Sequence, residues 1–410
     1  MMKKKFLINV ITGQGGAGHY ATYHAIRAIA EQQHLPWQFQ ITDVDDIITE
    51  LSGQSQVKNA YDTFGFSAHD LYNWMVKSDW TWLWPFLMRL NKLLVKLNYE
   101  MGVRICAQRL REQQPDLIVS VMPLFNKMIW ESVQRTSPDT PIVTVLTDFA
   151  DCPPHFWFEP KTGNYFICGT DKAVAQARSL GVKPEQIIQT SGLVIHPNFY
   201  PSRHRDRLPM NSFMRQQERQ RLGLDPDKIT GLVMFGGNGS QVMLDIAKRL
   251  ERFQDSLQLI FICGHNEVVM NQLRQSQGLQ KRVIISFTDD MPYYMQLADF
   301  FIGKPGNVSI SEAIAMQLPV ITECNAFTMM QERDCAKWVA EEVVGIVLPN
   351  FKSIDRAVAV LIQSENYTHY RANLAALNNR AVFEVVGLLQ RLLRSSESEA
   401  VLSRTPESPI

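Results

Sequence analysis

Leu232-Val233-Met234-Phe235-Gly236-Gly237-Asn238-Gly239-Ser240 is a short apolar run that breaks into a glycine-rich turn, and Val242, Leu244, Ile246, Ala247 and Leu250 follow it with helical spacing. Strand, glycine turn and helix in that order let backbone approach an anion closely. Alone the pattern is weak. It is followed by Leu259-Ile260-Phe261-Ile262-Cys263-Gly264-His265-Asn266, by Val283-Ile284-Ile285-Ser286-Phe287-Thr288 and by Phe300-Phe301-Ile302-Gly303-Lys304. These are further strand-to-loop junctions, and in an open parallel sheet they lie at the carboxyl edge, where ligands bind.

The last junction opens the second informative stretch, Lys304-Pro305-Gly306-Asn307-Val308-Ser309-Ile310-Ser311-Glu312-Ala313. Pro305 and Gly306 end the strand, and the hydroxyls of Ser309 and Ser311 are expected to cap the helix that starts there. The N–H groups of its first turn, together with the macrodipole, favour a phosphate. Glu312 lies one turn in, suited to accept hydrogen bonds from a pair of sugar hydroxyls. A nucleoside diphosphate satisfies both, although an ordinary capped helix between two strands has the same pattern.

Toward the N-terminus, Lys5-Phe6-Leu7-Ile8-Asn9-Val10-Ile11 reads as a buried strand and Thr12-Gly13-Gln14-Gly15-Gly16-Ala17-Gly18-His19 as its turn. A helix from about Tyr20 to Gln33 carries Ala21, Ala25, Ile26, Ile29 and Ala30 on one face. Strands are expected at Phe39–Asp43, Leu117–Val121, Ile142–Thr147, Asn164–Cys168 and Gln186–Thr190, alternating with helical signals. The alternation restarts at Gly231 after a polar, arginine-rich stretch with prolines at 197, 201, 209 and 226. The fold class is therefore α/β, with two Rossmann-like units facing a cleft. They are expected over residues 1–200 and 201–365, followed by a helical segment over 366–394 and a disordered serine- and glutamate-rich tail over 395–410.

The length of 410 residues suits two cores. Lys plus Arg equals Asp plus Glu at 41 each, which argues against a whole-protein nucleic-acid footprint. Six scattered cysteines lack C-x-x-C spacing and indicate neither a zinc site nor a disulfide framework, so a reducing, cytoplasmic setting is expected. The first apolar run is a strand and not a signal peptide.

One region departs from the alternation. An insertion at about residues 74–99 carries Trp80, Trp82, Trp84 and Phe86 among Lys77, Arg89, Lys92 and Lys96. The run is too short to span a bilayer, but tryptophans beside cations suit the membrane interface. A helical insertion packed on its own unit is the other reading.

Taken together, the glycine turn ending in His19, the block Val143-Thr144-Val145-Leu146-Thr147-Asp148-Phe149, the turn at Gly236, the helix start at Lys304 and the pair Gln331-Glu332 resemble the GT-B glycosyltransferases of the diacylglycerol sugar-transferase group. That group includes plant-type monogalactosyldiacylglycerol synthase and bacterial diacylglycerol glucosyltransferase. The N-acetylglucosaminyltransferase of peptidoglycan lipid intermediates is more distantly similar. The likeness runs from about Phe6 to Val347. It implies that the second unit binds a UDP-sugar, with Gly236, Gly237, Gly306 and Ser240 at the diphosphate, Phe287 and Thr288 flanking the uracil, Ser309 at the phosphate helix, Glu312 on the ribose, and Gln331 and Glu332 reading the sugar. Lys304 either neutralises phosphate or forms a salt bridge at the strand end.

On the acceptor side the resemblance implies Gly16, Gly18 and His155 as contacts. His19 suits a general base, with a helix-capping histidine as the structural alternative, and Asp148 either orients it or takes the proton. Two departures stand out. The family pattern T-D-x-x-x-C-H-P-x-W-F is replaced by Thr147-Asp148-Phe149-Ala150-Asp151-Cys152-Pro153-Pro154-His155-Phe156-Trp157-Phe158, and Asn307 stands where relatives have glycine.

The expected reaction is an inverting transfer from a UDP-sugar to a lipid alcohol, most simply diacylglycerol, at the surface of a membrane. UDP-sugar is a substrate, and no cofactor or metal is expected. Asp43-Val44-Asp45 has the D-x-D spacing but lies in the acceptor half. A transferase for a small soluble aglycone, a UDP-N-acetylglucosamine epimerase and a silent nucleotide-sugar-binding protein are the competing readings.

Overall fold

The computed structural model describes residues 5–13, 17–54, 99–200, 210–276 and 278–402. Gly16 and the aromatic set Trp80, Trp82, Trp84 and Phe86 lie outside them. The chain divides into one unit formed by Met1–Pro197 with Arg380–Ile410 and another formed by Asn198–Asn379.

The first unit is built on β1 (Phe6–Thr12), β2 (Trp37–Asp43), β3 (Leu117–Ser120), β4 (Ile142–Val145), β5 (Tyr165–Cys168) and β6 (Ile187–Gln189). All are parallel, in the order β2-β1-β3-β4-β5-β6. Between and after these strands the described helices are α1 (Ala17–Gln32), α2 (Val44–Gln54), α3 (Tyr99–Gln113), α4 (Asn126–Gln134) and α5 (Asp171–Ser179), and a C-terminal helix joins them. Strands β3 and β4 are buried on both faces, which explains why they read as unbroken apolar runs. α1 starts three residues before the expected Tyr20. His19 is thus inside the helix, which removes the capping alternative.

The second unit begins with α6 (Ser212–Arg221) and continues through β7 (Ile229–Met234), α7 (Val242–Leu250), β8 (Leu257–Ile262), α8 (Glu267–Gln275), β9 (Arg282–Ile285), α9 (Met291–Leu297), β10 (Phe300–Gly303), α10 (Asn307–Ala315), β11 (Val320–Glu323), α11 (Met330–Glu341), β12 (Gly345–Leu348), α12 (Ile354–Leu361) and α13 (Ser364–Ala376). Its parallel sheet has the order β12-β11-β10-β7-β8-β9. The direction of winding reverses between β7 and β10, so the two glycine-bearing turns after these strands meet at the topological switch point, the usual ligand site of such a sheet.

The C-terminal segment differs from expectation. It is two helices with Leu377-Asn378-Asn379-Arg380 between them, and the second, α14 (Ala381–Leu402), belongs to the first unit. Val382, Val385, Val386, Leu389 and Leu393 form one buried stripe on it, and α14 packs on α1. Glu384 Oε2 accepts the Ser191 N–H at 2.8 Å, and the Arg380 N–H reaches Ser191 Oγ at 2.6 Å. The helix also runs through Ser395 to Leu402, where a disordered tail was expected. Glu397, Glu399 and Ala400 are good helix formers, and Pro406 is the first breaker beyond Gly387.

Candidate active site

At the switch point of the second sheet, Gly236 takes the left-handed conformation, φ 70°, and lets the chain leave β7 sharply. The loop after β8 closes on this turn: the His265 N–H donates to the Gly237 carbonyl at 2.8 Å, and a Cβ on Gly264 would lie 2.1 Å from that oxygen. Only glycine permits the approach. Ser240 Oγ accepts the Val242 N–H at the start of α7, at 3.3 Å. Lys304 comes from β10, its Cε 3.5 Å from where a Gly236 side chain would begin, so the two sequence motifs occupy one place.

The serines do not cap α10. The helix begins at Asn307 with Gly306 as N-cap, φ −70° and ψ 123°, and no side-chain cap bond. Ser309 Oγ donates back to the Gly306 carbonyl at 3.1 Å, and Ser311 Oγ to the Asn307 carbonyl at 2.7 Å. The hydroxyls lie too far into the helix to accept its first N–H groups, and Gly306 has no side chain to offer in their place. Asn307 is helical, so a left-handed residue is not needed where relatives have glycine.

Glu312 lies further along α10, and burial pushes its carboxyl up to about 8. A neutral acid at that position is poised to ionise when hydrogen-bond donors reach it. Glu332, in the first turn of α11, accepts from Lys304 Nζ at 3.0 Å, and Gln331 precedes it half-buried. Of the two fates open to Lys304, the structure displays the salt bridge. At the end of β9, Phe287 is 49% exposed and stacks on the His265 imidazole, with centroids 4.4 Å apart and planes at 12°. Thr288 Oγ1 accepts the Asp290 N–H at 3.1 Å. His265 was not singled out from sequence; only the adjacency of β8 and β9 brings it to Phe287.

In the first unit, His19 stands in the first turn of α1, beyond the carboxyl end of β1. Thr147 Oγ1 lies 3.5 Å from its Nδ1, the Trp157 ring is 6.3 Å away between centroids, and the imidazole bonds the Val121 backbone. The side chain keeps part of its surface accessible, yet desolvation outweighs the Val121 bond and pushes its pKa down to about 4. His19 is thus neutral at physiological pH, with a lone pair available. Gly18 lies in the same helical turn, and its carbonyl accepts the Thr22 hydroxyl at 3.0 Å.

Asp148 is buried, and its Oδ2 accepts the Trp157 indole N–H at 2.8 Å. Asp151 accepts the backbone N–H groups of His155, Phe156 and Trp157 at 2.8, 2.8 and 2.6 Å, while burial raises its pKa. His155 sits exposed at a left-handed position of that turn, φ 63°. Trp157 and Asn126 are the residues that sequence reasoning missed here. Among the described residues, no group of three or more His, Cys, Asp or Glu is placed to share a metal ion. Clefts of about 270 and 260 Å³ lie elsewhere in the first unit, one between β6 and α14 and one beside Trp130 and Tyr165. Neither is lined by a residue of the candidate site.

Residues 44–195 match the family model for monogalactosyldiacylglycerol (MGDG) synthase, and residues 232–370 match the glycosyltransferase family 28 C-terminal domain. The chain thus joins an MGDG synthase domain to a glycosyltransferase family 28 C-terminal domain on the GT-B fold. The processive diacylglycerol beta-glucosyltransferase of Bacillus subtilis is 24% identical over 312 residues, 75% of this chain and 76% of that one. Monogalactosyldiacylglycerol synthase 1 of Arabidopsis thaliana is 26% identical over 98% of this chain and 73% of its own length. A probable monogalactosyldiacylglycerol synthase 2 from rice is 29% identical, and the chain spans 62% of its length. Among solved structures, Acinetobacter baumannii MurG aligns with TM-score 0.59 at 11% identity, covering 95% of this chain and 100% of that one. Staphylococcus aureus MnaA, solved with UDP, aligns with TM-score 0.58 at 14% identity, over 95% and 97%. These likenesses establish the fold. Because UDP-N-acetylglucosamine 2-epimerases share it, the fold does not separate transferase from isomerase. The sequence relatives fall on the transferase side.

Proposed function

We propose that this glycosyltransferase moves a hexose from a UDP-sugar to the hydroxyl of diacylglycerol, with inversion at the anomeric carbon. The observation that carries the reading is the meeting of the Gly236 turn with the Gly306 start of α10 at one switch point, in a chain whose relatives are named for sugar transfer to diacylglycerol. The diphosphate would lie against the backbone of Gly236, Gly237, Gly306 and Ser309, the ribose on Glu312, the uracil at Phe287 and Thr288, and the sugar on Gln331 and Glu332.

His19 removes the proton of the acceptor hydroxyl as its oxygen bonds to the anomeric carbon. The bond from that carbon to the phosphate oxygen breaks on the opposite face, and UDP takes the electron pair. The α10 N-terminus meets the charge developing on UDP, with Lys304 beside it. The proposal requires no metal or cofactor. Trp80, Trp82, Trp84 and Phe86, set among cations in the sequence, favour work at a membrane surface, and six free thiols are in keeping with a reducing cytoplasm.

The test is incubation with diacylglycerol-containing liposomes and UDP-glucose, UDP-galactose or UDP-N-acetylglucosamine in turn, scoring free UDP and glycolipid. Glycolipid with one donor is the expected result. UDP release on a soluble alcohol but never on diacylglycerol would move the acceptor to a small aglycone. Epimerised donor without UDP release would make the chain an isomerase.

A further inference from the structure

Trp157 is held from three sides. Its indole N–H donates to Asp148 Oδ2 at 2.8 Å, its backbone N–H to Asp151 Oδ1 at 2.6 Å, and its carbonyl accepts from Asn126 Nδ2 at 2.9 Å. Asn126 is itself fixed, because its Oδ1 receives the hydroxyls of Ser120 from β3 and Thr144 from β4, at 2.9 and 3.1 Å. Trp157 has no exposed surface, and Asp148 and Asn126 are buried with it. The centroid of this clamped ring lies 6.3 Å from that of the His19 imidazole, with the two planes tilted by 48°. A buried ring with every polar group satisfied has little freedom to shift, so it is a fixed neighbour of His19, while Thr147 and the Val121 backbone lie at the imidazole nitrogens.

We propose that Asp148 is a positioning residue that acts on His19 through Trp157, and that the acceptor proton goes to His19. Asp148 anchors the indole; Asn126 and Asp151 anchor the backbone of the same residue. This rests on His19 as the base, and it assigns Asp148 to one of the two roles that sequence left open. The distinguishing chemistry is that an anchor needs only a hydrogen-bond acceptor, which asparagine also has, whereas a base needs the carboxylate.

The experiment compares His19→Ala, Asp148→Asn, Asp148→Leu, Trp157→Phe and the Asp148→Leu/Trp157→Phe pair, with UDP release measured over diacylglycerol vesicles and the donor KM recorded for each. Asp148→Asn is expected to keep turnover within about threefold of the parent. Asp148→Leu and Trp157→Phe should each lower kcat by about tenfold to a hundredfold with donor KM unchanged, the scale of a misplaced catalytic group. The double variant should be no worse than either single one, because both break one contact. An Asp148→Asn variant as inactive as His19→Ala would overturn the proposal, since the charge itself would then be required. So would independent, multiplicative losses in the double variant. Should Asp148→Leu not fold, Asp148→Asn against His19→Ala carries the test alone. Near-normal turnover in His19→Ala would remove the base assignment, a failure distinct from that of the anchor.

Discussion

Lys304 and Glu332, 28 residues apart in sequence, are joined by an ion pair of 3.0 Å between the end of β10 and the first turn of α11. The cation beside the Gly236 turn therefore already has a partner, and an arriving diphosphate has to compete with it. Glu332→Gln releases Lys304, and UDP should bind about two- to fivefold tighter, the scale of a partly exposed ion pair. Turnover of the UDP-sugar should fall at the same time, because in the proposed donor pose the sugar loses a carboxylate partner for its hydroxyls. Calorimetry with UDP and steady-state rates with the full donor measure the two halves. Weaker UDP binding in the variant would contradict this account of Lys304.

With Glu312 on the ribose, as proposed, donor binding is sensitive to pH. The Glu312 carboxyl ionises near 8 in the folded protein, against an ordinary value of 4.5. The folded state therefore holds an extra proton between about pH 4.5 and 8, and this group's contribution to stability falls as pH rises through that window. Ribose hydroxyls donating to the carboxylate favour its ionised form, so UDP binding should release a proton there, and affinity should rise with pH up to about 8. Calorimetry in buffers of different ionisation enthalpy reads the release directly. Glu312→Gln should abolish it, and Glu312→Ala should cost about 1.5–3 kcal/mol of UDP binding. Binding with no proton release in the parent protein would take Glu312 off the ribose.

His19 titrates on the other side of neutrality. With a pKa of about 4 in the folded state against 6.5 ordinarily, its contribution to stability is present above pH 6.5 and lost as pH falls toward 4. The acid limb of kcat/KM should accordingly fall near pH 4 to 5, well below the usual histidine range, provided the donor site is saturated so that Glu312 does not contribute. His19→Ala should reduce turnover by roughly a hundredfold or more with UDP affinity intact. An acid limb near 6.5 that persists in His19→Ala would point to another base.

The tryptophan-rich segment supports a prediction from sequence alone. Replacing Trp82 and Trp84 with Ser should abolish sedimentation with anionic liposomes, and added salt should weaken it in the parent by screening the neighbouring cations. Activity on a short-chain soluble acceptor should survive. A parent protein that ignores liposomes would favour the small-aglycone reading.

How much of this was legible in the sequence depended on which kind of information each feature needed. The twin α/β units and the two ligand-edge turns were legible because Gly236, Pro305 and Gly306 punctuate apolar runs, and punctuation is local. Ser309 and Ser311 misled because capping depends on where the backbone enters α10. Gly306 enters at φ −70°, one turn before those hydroxyls can help. His265 and Phe287 sit at separate junctions, and their stacking follows from the lateral order of β8 and β9, which no local pattern carries. Trp157 was visible in a motif whose histidine had shifted, but its bond to Asp148 spans a loop that composition does not shape. The stripe on α14 announced burial without saying against which unit.

That stripe bears on how the protein is made. The first unit contains both β1 and α14, with the whole of the second unit between them in sequence. On the ribosome, the sheet that holds His19 therefore waits, with the α1 surface uncovered, until the residues near Leu389 and Leu393 have been synthesised. The second unit has all of its strands earlier and can close first. The first unit, begun earlier, is thus the last to be completed, and an early stop just after Asn379 would leave a finished second unit attached to an unfinished partner.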